Sequence, residues 1–128
     1  MKSLLAAFIL TITTLTSMAQ DSPERYMFTG KLVSAPADVA ACGTIAAAYT
    51  YVFEVTMISD DNYTQTTIPI IVKCPDFLGD NFFKEGATYK MELFNQGDND
   101  GYSIMNEDVL EPFNLDHNYW TGAIRRID

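Results

Sequence analysis

Ile45-Ala46-Ala47-Ala48-Tyr49-Thr50-Tyr51-Val52-Phe53-Glu54-Val55-Thr56-Met57 is the stretch that decides the fold. Ile45, Ala47, Tyr49, Tyr51, Phe53, Val55 and Met57 occupy every second position, the period of a strand with one buried face. The alanines at 46–48 favour a helix locally. From Tyr49 onward aromatic and β-branched residues dominate, and these fit a pleated, half-buried surface. The spacing predicts one long strand.

The residues on either side extend the β pattern. Tyr26–Ala35 is a second strand, stopped by Pro36, with Gly30 marking a bulge or tight bend inside it. A small-residue loop spans Pro36–Gly43. Downstream, Ser59-Asp60-Asp61-Asn62 is a turn cluster and Thr66–Lys73 the next strand, which Pro69 assigns to an edge or a bulge. Pro75–Phe83 is expected to form a short helix, with Pro75 at its first position, Asp76 at the positive end of the dipole and Gly86 beyond its end. Phe77, Leu78, Phe82 and Phe83 would be its buried stripe. Thr88–Phe94 alternates, with Tyr89, Met91 and Leu93 on one face and Lys90 and Glu92 on the other. A long polar stretch runs from Asn95 to Asn118. Tyr119–Ile127 is the last strand, with Trp120, Gly122 and Ile124 on one side.

The predicted class is therefore mainly β: a small five-stranded Greek-key barrel with one short helix between strands 3 and 4. This order of elements, the long second strand and the approach to strand 4 through Gly86-Ala87-Thr88-Tyr89 resemble the OB-fold. The resemblance covers most of residues 20–128 and is architectural. It implies a ligand face for oligonucleotides or oligosaccharides, or, as in exported members, contacts with another protein. A β-sandwich is the rival architecture and would show more strands.

Residues 1–19 have the three parts of a secretory signal. Met1-Lys2-Ser3 supplies a charged start, Leu4–Leu15 a short apolar run, and Ser17-Met18-Ala19 a small-x-small exit. A membrane anchor would need about 20 apolar residues; this run is shorter and is broken by Thr11, Thr13 and Thr14. Cleavage after Ala19 leaves one β-rich domain over residues 20–128, with no second apolar run for membrane insertion. The expected location is periplasmic or secreted. In that oxidising setting Cys42 and Cys74 are expected to pair. The 31 residues between them are too many for a Cys-x-x-Cys redox site.

Losing Lys2 with the signal takes the net charge from −9 to −10. The remaining basic residues are scattered along the sequence, so no concentrated basic stretch is present to neutralise a phosphate backbone. Nucleic acid is excluded as a partner on this ground, and anionic lipid headgroups with it.

No cofactor is expected; the one ion the acids could hold is calcium. With Gly101 as the turn glycine of a calcium loop over 96–107, Asp98 and Asp100 fall at the third and fifth positions and Glu107 at the twelfth. Gln96 stands where an aspartate should start that loop, Ser103 replaces its usual apolar residue, and Gly97-Asp98-Asn99-Asp100-Gly101 is ideal chemistry for a solvated turn, the preferred reading. His117, the single histidine, lies between Asp116 and Asn118; neighbours on an extended segment point to opposite sides, so no oriented base follows. No Gly-x-Ser-x-Gly, phosphate loop or paired-carboxylate pattern is present. Tyr102, Tyr119 and Trp120, in or beside the long loop, are the candidate exposed contact residues.

The function expected from these residues is an exported, non-catalytic binding or accessory module for a protein or glycan partner. The alternatives are a calcium-stabilised structural domain built on loop 96–107, and a small hydrolase whose carboxylate site has no recognisable pattern.

Overall fold

A computed structural model describes residues 24–95 and 101–128. The expected signal at 1–19 lies outside the described residues, as do Asp98 and Asp100. Among the described residues six strands form: β1 (Arg25–Ser34), β2 (Ala47–Ile58), β3 (Thr67–Lys73), β4 (Thr88–Phe94), β5 (Ser103–Ile104) and β6 (Tyr119–Arg126). β5 is a two-residue addition; the other five close a barrel in the order β1-β2-β3-β6-β4 and back to β1. All neighbours around the barrel are antiparallel except β3 and β6, which pair in parallel at Ile70–Tyr119 and Ile71–Trp120. The protein is thus mainly β with a closed five-stranded barrel.

The period-two reading of β2 corresponds to the packing. Ala47, Tyr49, Tyr51 and Phe53 point into the barrel against Phe28, Leu32, Ile68, Ile70, Val72, Tyr89, Met91 and Leu93. Phe53 meets Phe28 and Tyr89 edge-on, each at 5.8 Å between ring centroids, a favoured aromatic geometry. Gly30 sits at a register shift in the β1–β2 ladder. A Cβ there would lie 2.4 Å from the Phe28 ring and 2.5 Å from the Glu54 carbonyl oxygen, so only glycine lets the strands approach.

Three expectations need correction. First, the helix expected over Pro75–Phe83 is a single 3-10 turn, Pro75–Leu78; the longer helical segment, at Glu107–Val109 and Glu111–Phe113, follows β4 instead. Cys74 (φ 46°) and Gly79 (φ 109°) bracket the Pro75–Leu78 turn with left-handed backbone and prevent its extension. Phe82 and Phe83 still pack on the core, because the Tyr89 hydroxyl donates to the Phe82 carbonyl (2.6 Å) and accepts from the Lys84 N–H (2.8 Å). Phe77 and Leu78 are exposed.

Second, β3 has neighbours on both sides. Bonds from Val55 N–H to Thr66 C=O and from Cys74 N–H to Ala47 C=O put the bonded pairs at odd positions of β2. Pro69, opposite Val52, therefore turns its missing N–H toward β6, one residue before the β3–β6 pairing begins at Ile70. Third, Trp120 and Ile124 are not on one side. A register shift in the β4–β6 ladder between Met91 and Leu93 separates them. Ile124 packs on the inner core, and Trp120 joins Ala48 and Ile71 on the outside of the barrel.

Candidate functional site

The outer face of β2 and β3, where OB barrels commonly hold ligands, is covered by the chain itself. Tyr102, Ile104 and Leu110, from the segment between β4 and β6, pack over Ala48, Ile71 and Trp120. The cover is hydrogen-bonded along the free edge of β2. Ser103 N–H donates to the Ala46 carbonyl and Met105 N–H to the Ala48 carbonyl, both at 2.9 Å. The next rung is made by a side chain: Asn106 Oδ1 accepts from Thr50 N–H at 2.7 Å, and Asn106 Nδ2 donates to the Thr50 carbonyl at 3.0 Å. One carboxamide thus satisfies both backbone groups of a buried residue, as a strand residue would. The Lys73 ammonium lies between the Tyr102 ring (4.9 Å) and the Trp120 ring (5.5 Å), clamping the segment to β3.

Two of the three expected contact aromatics are therefore not surface residues. Trp120 is 4 % exposed beneath the cover, and Tyr119 is 3 % exposed in the core. Tyr102 is half-buried and belongs to the cover. The Tyr119 hydroxyl donates to Asp60 Oδ2 at 2.6 Å, and Asp60 Oδ1 accepts from the Asn62 N–H at 3.0 Å. These bonds use the buried Asp60 to tie the β2–β3 turn to β6, a structural task. Burial, with Asp60 beside it, raises the Tyr119 hydroxyl well above its ordinary range. His117 lies edge-on to Tyr119, with ring centroids 4.9 Å apart. Glu107 is exposed at the start of a 3-10 turn. Among the described residues no three His, Cys, Asp or Glu side chains converge on one point. No described helix is long and apolar enough to cross a membrane.

A different site emerges where the β1–β2 loop meets the Pro75–Leu78 turn. Cys42 and Cys74 are disulfide-bonded, as expected, joining the two segments across a sequence separation of 32. The Cys42 N–H points at both carboxylate oxygens of Asp76, each at 3.3 Å, and the Ala40 N–H donates to the Tyr49 hydroxyl at 2.8 Å. The loop is thus fixed by a covalent bond at Cys42 and by hydrogen bonds at Ala40 and Cys42. Between loop and turn lies a cleft of about 220 Å³ lined by Pro36, Val39, Tyr51 and Phe83 together with the acids Asp76 and Asp80. Tyr51 and Phe83 stack at 4.2 Å. Burial holds the Tyr51 phenol well above its ordinary range, so this wall is uncharged. On the same turn Phe77 stands 75 % exposed, next to Leu78.

The sequence reading placed Phe77 inside a helix and so missed it. The available signal was the Cys74-Pro75 and Gly79 bracket, which leaves too few residues for an amphipathic helix to bury a stripe. Chemically, an aromatic wall with carboxylates in the same lining suits a cationic or apolar group from a partner. No protein-family model matches this chain, nor does any curated protein or solved structure. The disulfide is the kind of bond that persists in an oxidising environment.

Proposed function

We propose that this chain is an exported, non-catalytic binding module, periplasmic or secreted, whose partner is a protein docking on the disulfide-fixed turn at Pro75–Leu78. The observation that carries the reading is Phe77. A phenylalanine three-quarters exposed on a short turn costs water contact in the free protein. Here the turn is pinned by Cys74 and carries Asp76, with Asp80 just beyond it, so the aromatic is held ready rather than left to fold inward. Buried aromatic anchors ringed by polar residues are the usual energetic centre of a protein interface. Asp76 and Asp80 beside it select for a basic rim on the partner.

The test is affinity capture with the folded domain and with its Phe77→Ala variant as baits, using the exported-protein fraction of the host. Phe77 makes no contact in the inner or outer core clusters, so the variant should melt at the parent's temperature. A protein retained by the parent and lost from Phe77→Ala supports the reading. Equal retention by both baits, or no retained protein, refutes it.

A further inference from the structure

The basic residues, scattered in sequence, are brought together by the barrel. Along β1, Arg25, Met27, Thr29 and Lys31 alternate with the buried Phe28, Gly30 and Leu32 and so face outward. Lys90 pairs with Thr29 on one side and with Arg125 on the other, which puts both cations on that same outer face. Of the seven basic residues in the described chain four stand here. Two acids accompany them: Glu92, 3.9 Å from Arg25, and Glu54, opposite Lys31. Met27 and Met57, diagonal neighbours across the β1–β2 ladder, are both exposed beside these cations. In a chain of net charge −9 the acids already provide solubility, and a face on which cations outnumber acids adds nothing to it.

We infer that this face receives the Phe77 turn of a second copy of the chain, so that copies assemble head to tail; the inference rests on the docking reading above and names its partner. Turn and face match in two chemistries. The turn offers the exposed Phe77 and Leu78, with Asp76 on it and Asp80 just beyond; the face offers Met27 and Met57 among the four cations. Methionine adapts to an aromatic ring and makes favourable sulfur–ring contacts. The carboxylates meet ammonium and guanidinium groups that, Arg25 apart, make no ion pair among the described residues. Like surfaces do not match: turn on turn sets carboxylates against carboxylates, and face on face sets cations against cations, each a costly juxtaposition. The contact is therefore heterologous. Turn and face share no residue, and β3, which leads into the turn, pairs with neither β1 nor β4, so one copy can use both at once. At physiological salt a Debye length of about 8 Å damps the repulsion between two acidic copies and leaves charges in contact effective.

Sedimentation equilibrium of the folded chain, from micromolar to millimolar concentration, is the test. The average mass should rise with concentration beyond that of a dimer, and association should weaken severalfold when sodium chloride is raised about threefold above physiological strength. Phe77→Ala removes the anchor of the turn, and Lys90→Gln with Arg125→Gln removes two cations of the face. Each variant should associate at least tenfold more weakly than the parent. Both should fold: Phe77 is in neither core cluster, and Lys90 and Arg125 repel each other across the ladder, so melting temperatures should equal or exceed the parent's. Mixed together, the two variants should recover one interface, the intact turn of one on the intact face of the other, and stop at dimers. A turn-on-turn or face-on-face contact gives no such recovery. A parent that stays monomeric or stops at dimers, variants that associate like the parent, or folded variants that stay monomeric when mixed overturn the inference. Should it fall while Phe77 still captures a different protein, the docking reading stands; equal capture by the parent and Phe77→Ala removes both.

Discussion

Replacing Asn106 with leucine removes the rung that holds the covering segment to β2 while keeping the side-chain volume close. Two hydrogen bonds are lost, from Thr50 N–H and to the Thr50 carbonyl. Each bond is worth about 0.5–1.5 kcal/mol net. Thr50 is 2 % exposed, so its backbone groups regain water only if the segment lifts. The expected cost is about 2 kcal/mol, against a total of roughly 5–15 kcal/mol for a domain of this class. For a domain of this size that corresponds to a fall of about 8–16 °C in melting temperature. Urea unfolding with an unchanged m-value measures the energy, and amide exchange locates it. The amides of Thr50, Ser103 and Met105 should lose protection together, while those of β1 and β4 keep theirs apart from the global change. A cost below about 0.5 kcal/mol with Thr50 still protected would refute the idea that one carboxamide latches the cover.

Reduction of Cys42–Cys74, or replacement of both by serine, removes a closure spanning 32 residues and should cost roughly 3–4 kcal/mol in the chain-entropy model, read as a lower melting temperature in reductant. Gly30→Ala drives a methyl group against the Phe28 ring and the Glu54 carbonyl, so a loss of about 1–3 kcal/mol is expected in denaturant titration. Alkaline stability follows from the tyrosines. Tyr63 is pushed up to about 12 by burial, Tyr26 to about 12 chiefly by its hydrogen bond to Glu24, and Tyr51, Tyr89 and Tyr119 are also raised, chiefly by burial. Each keeps its proton in the folded chain where the unfolded chain has lost it, so their contribution is intact below pH 10 and declines above it. Melting temperature should fall steadily from pH 10 to 12, and tyrosinate absorbance should rise together with unfolding; full tyrosinate formation in a chain that stays folded at pH 12 would contradict this.

What the sequence made legible was set by the number of faces each strand buries. β4 buries one, so Tyr89, Met91 and Leu93 alternate cleanly with Lys90 and Glu92 and its bounds could be read directly. β3 buries both, and its run Ile68-Pro69-Ile70-Ile71-Val72 lost the alternation that marks a half-exposed strand. That run was the available sign that something covers the barrel there, as was the absence of charge from Ala46 to Phe53 on β2. The covering segment itself hid behind its asparagines and acids: Tyr102, Ile104 and Leu110 are too irregularly spaced to show a helical or strand period. The lost helix at Pro75–Phe83 has a different cause. Backbone angles at Cys74 and Gly79 ended it, and propensity arguments on the residues between them could not overrule that geometry. The meeting of Lys90 with Arg125 depends on the pairing of β4 with β6, a long-range register that no local pattern encodes.

The self-covered face bears directly on where a partner can dock. To offer β2 and β3 as a ligand platform, the chain would have to lift the segment carrying Tyr102, Ile104 and Leu110, break the Asn106 rung and return Trp120 to water. Exposing a large apolar side chain costs about 1.5–3 kcal/mol, and the latch about 2 kcal/mol more. An opening cost near 4 kcal/mol leaves roughly one molecule in a thousand competent, and weakens any ligand of that face by the same factor. The Phe77 turn is open in the resting fold and carries no such penalty. For contacts of equal quality a partner docking on that turn would therefore bind about a thousandfold more tightly than one that needs the covered face. In this five-stranded barrel the outer face of β2 and β3 is filled by the chain itself, so the disulfide-bound turn is the surface that a partner could reach without first opening the fold.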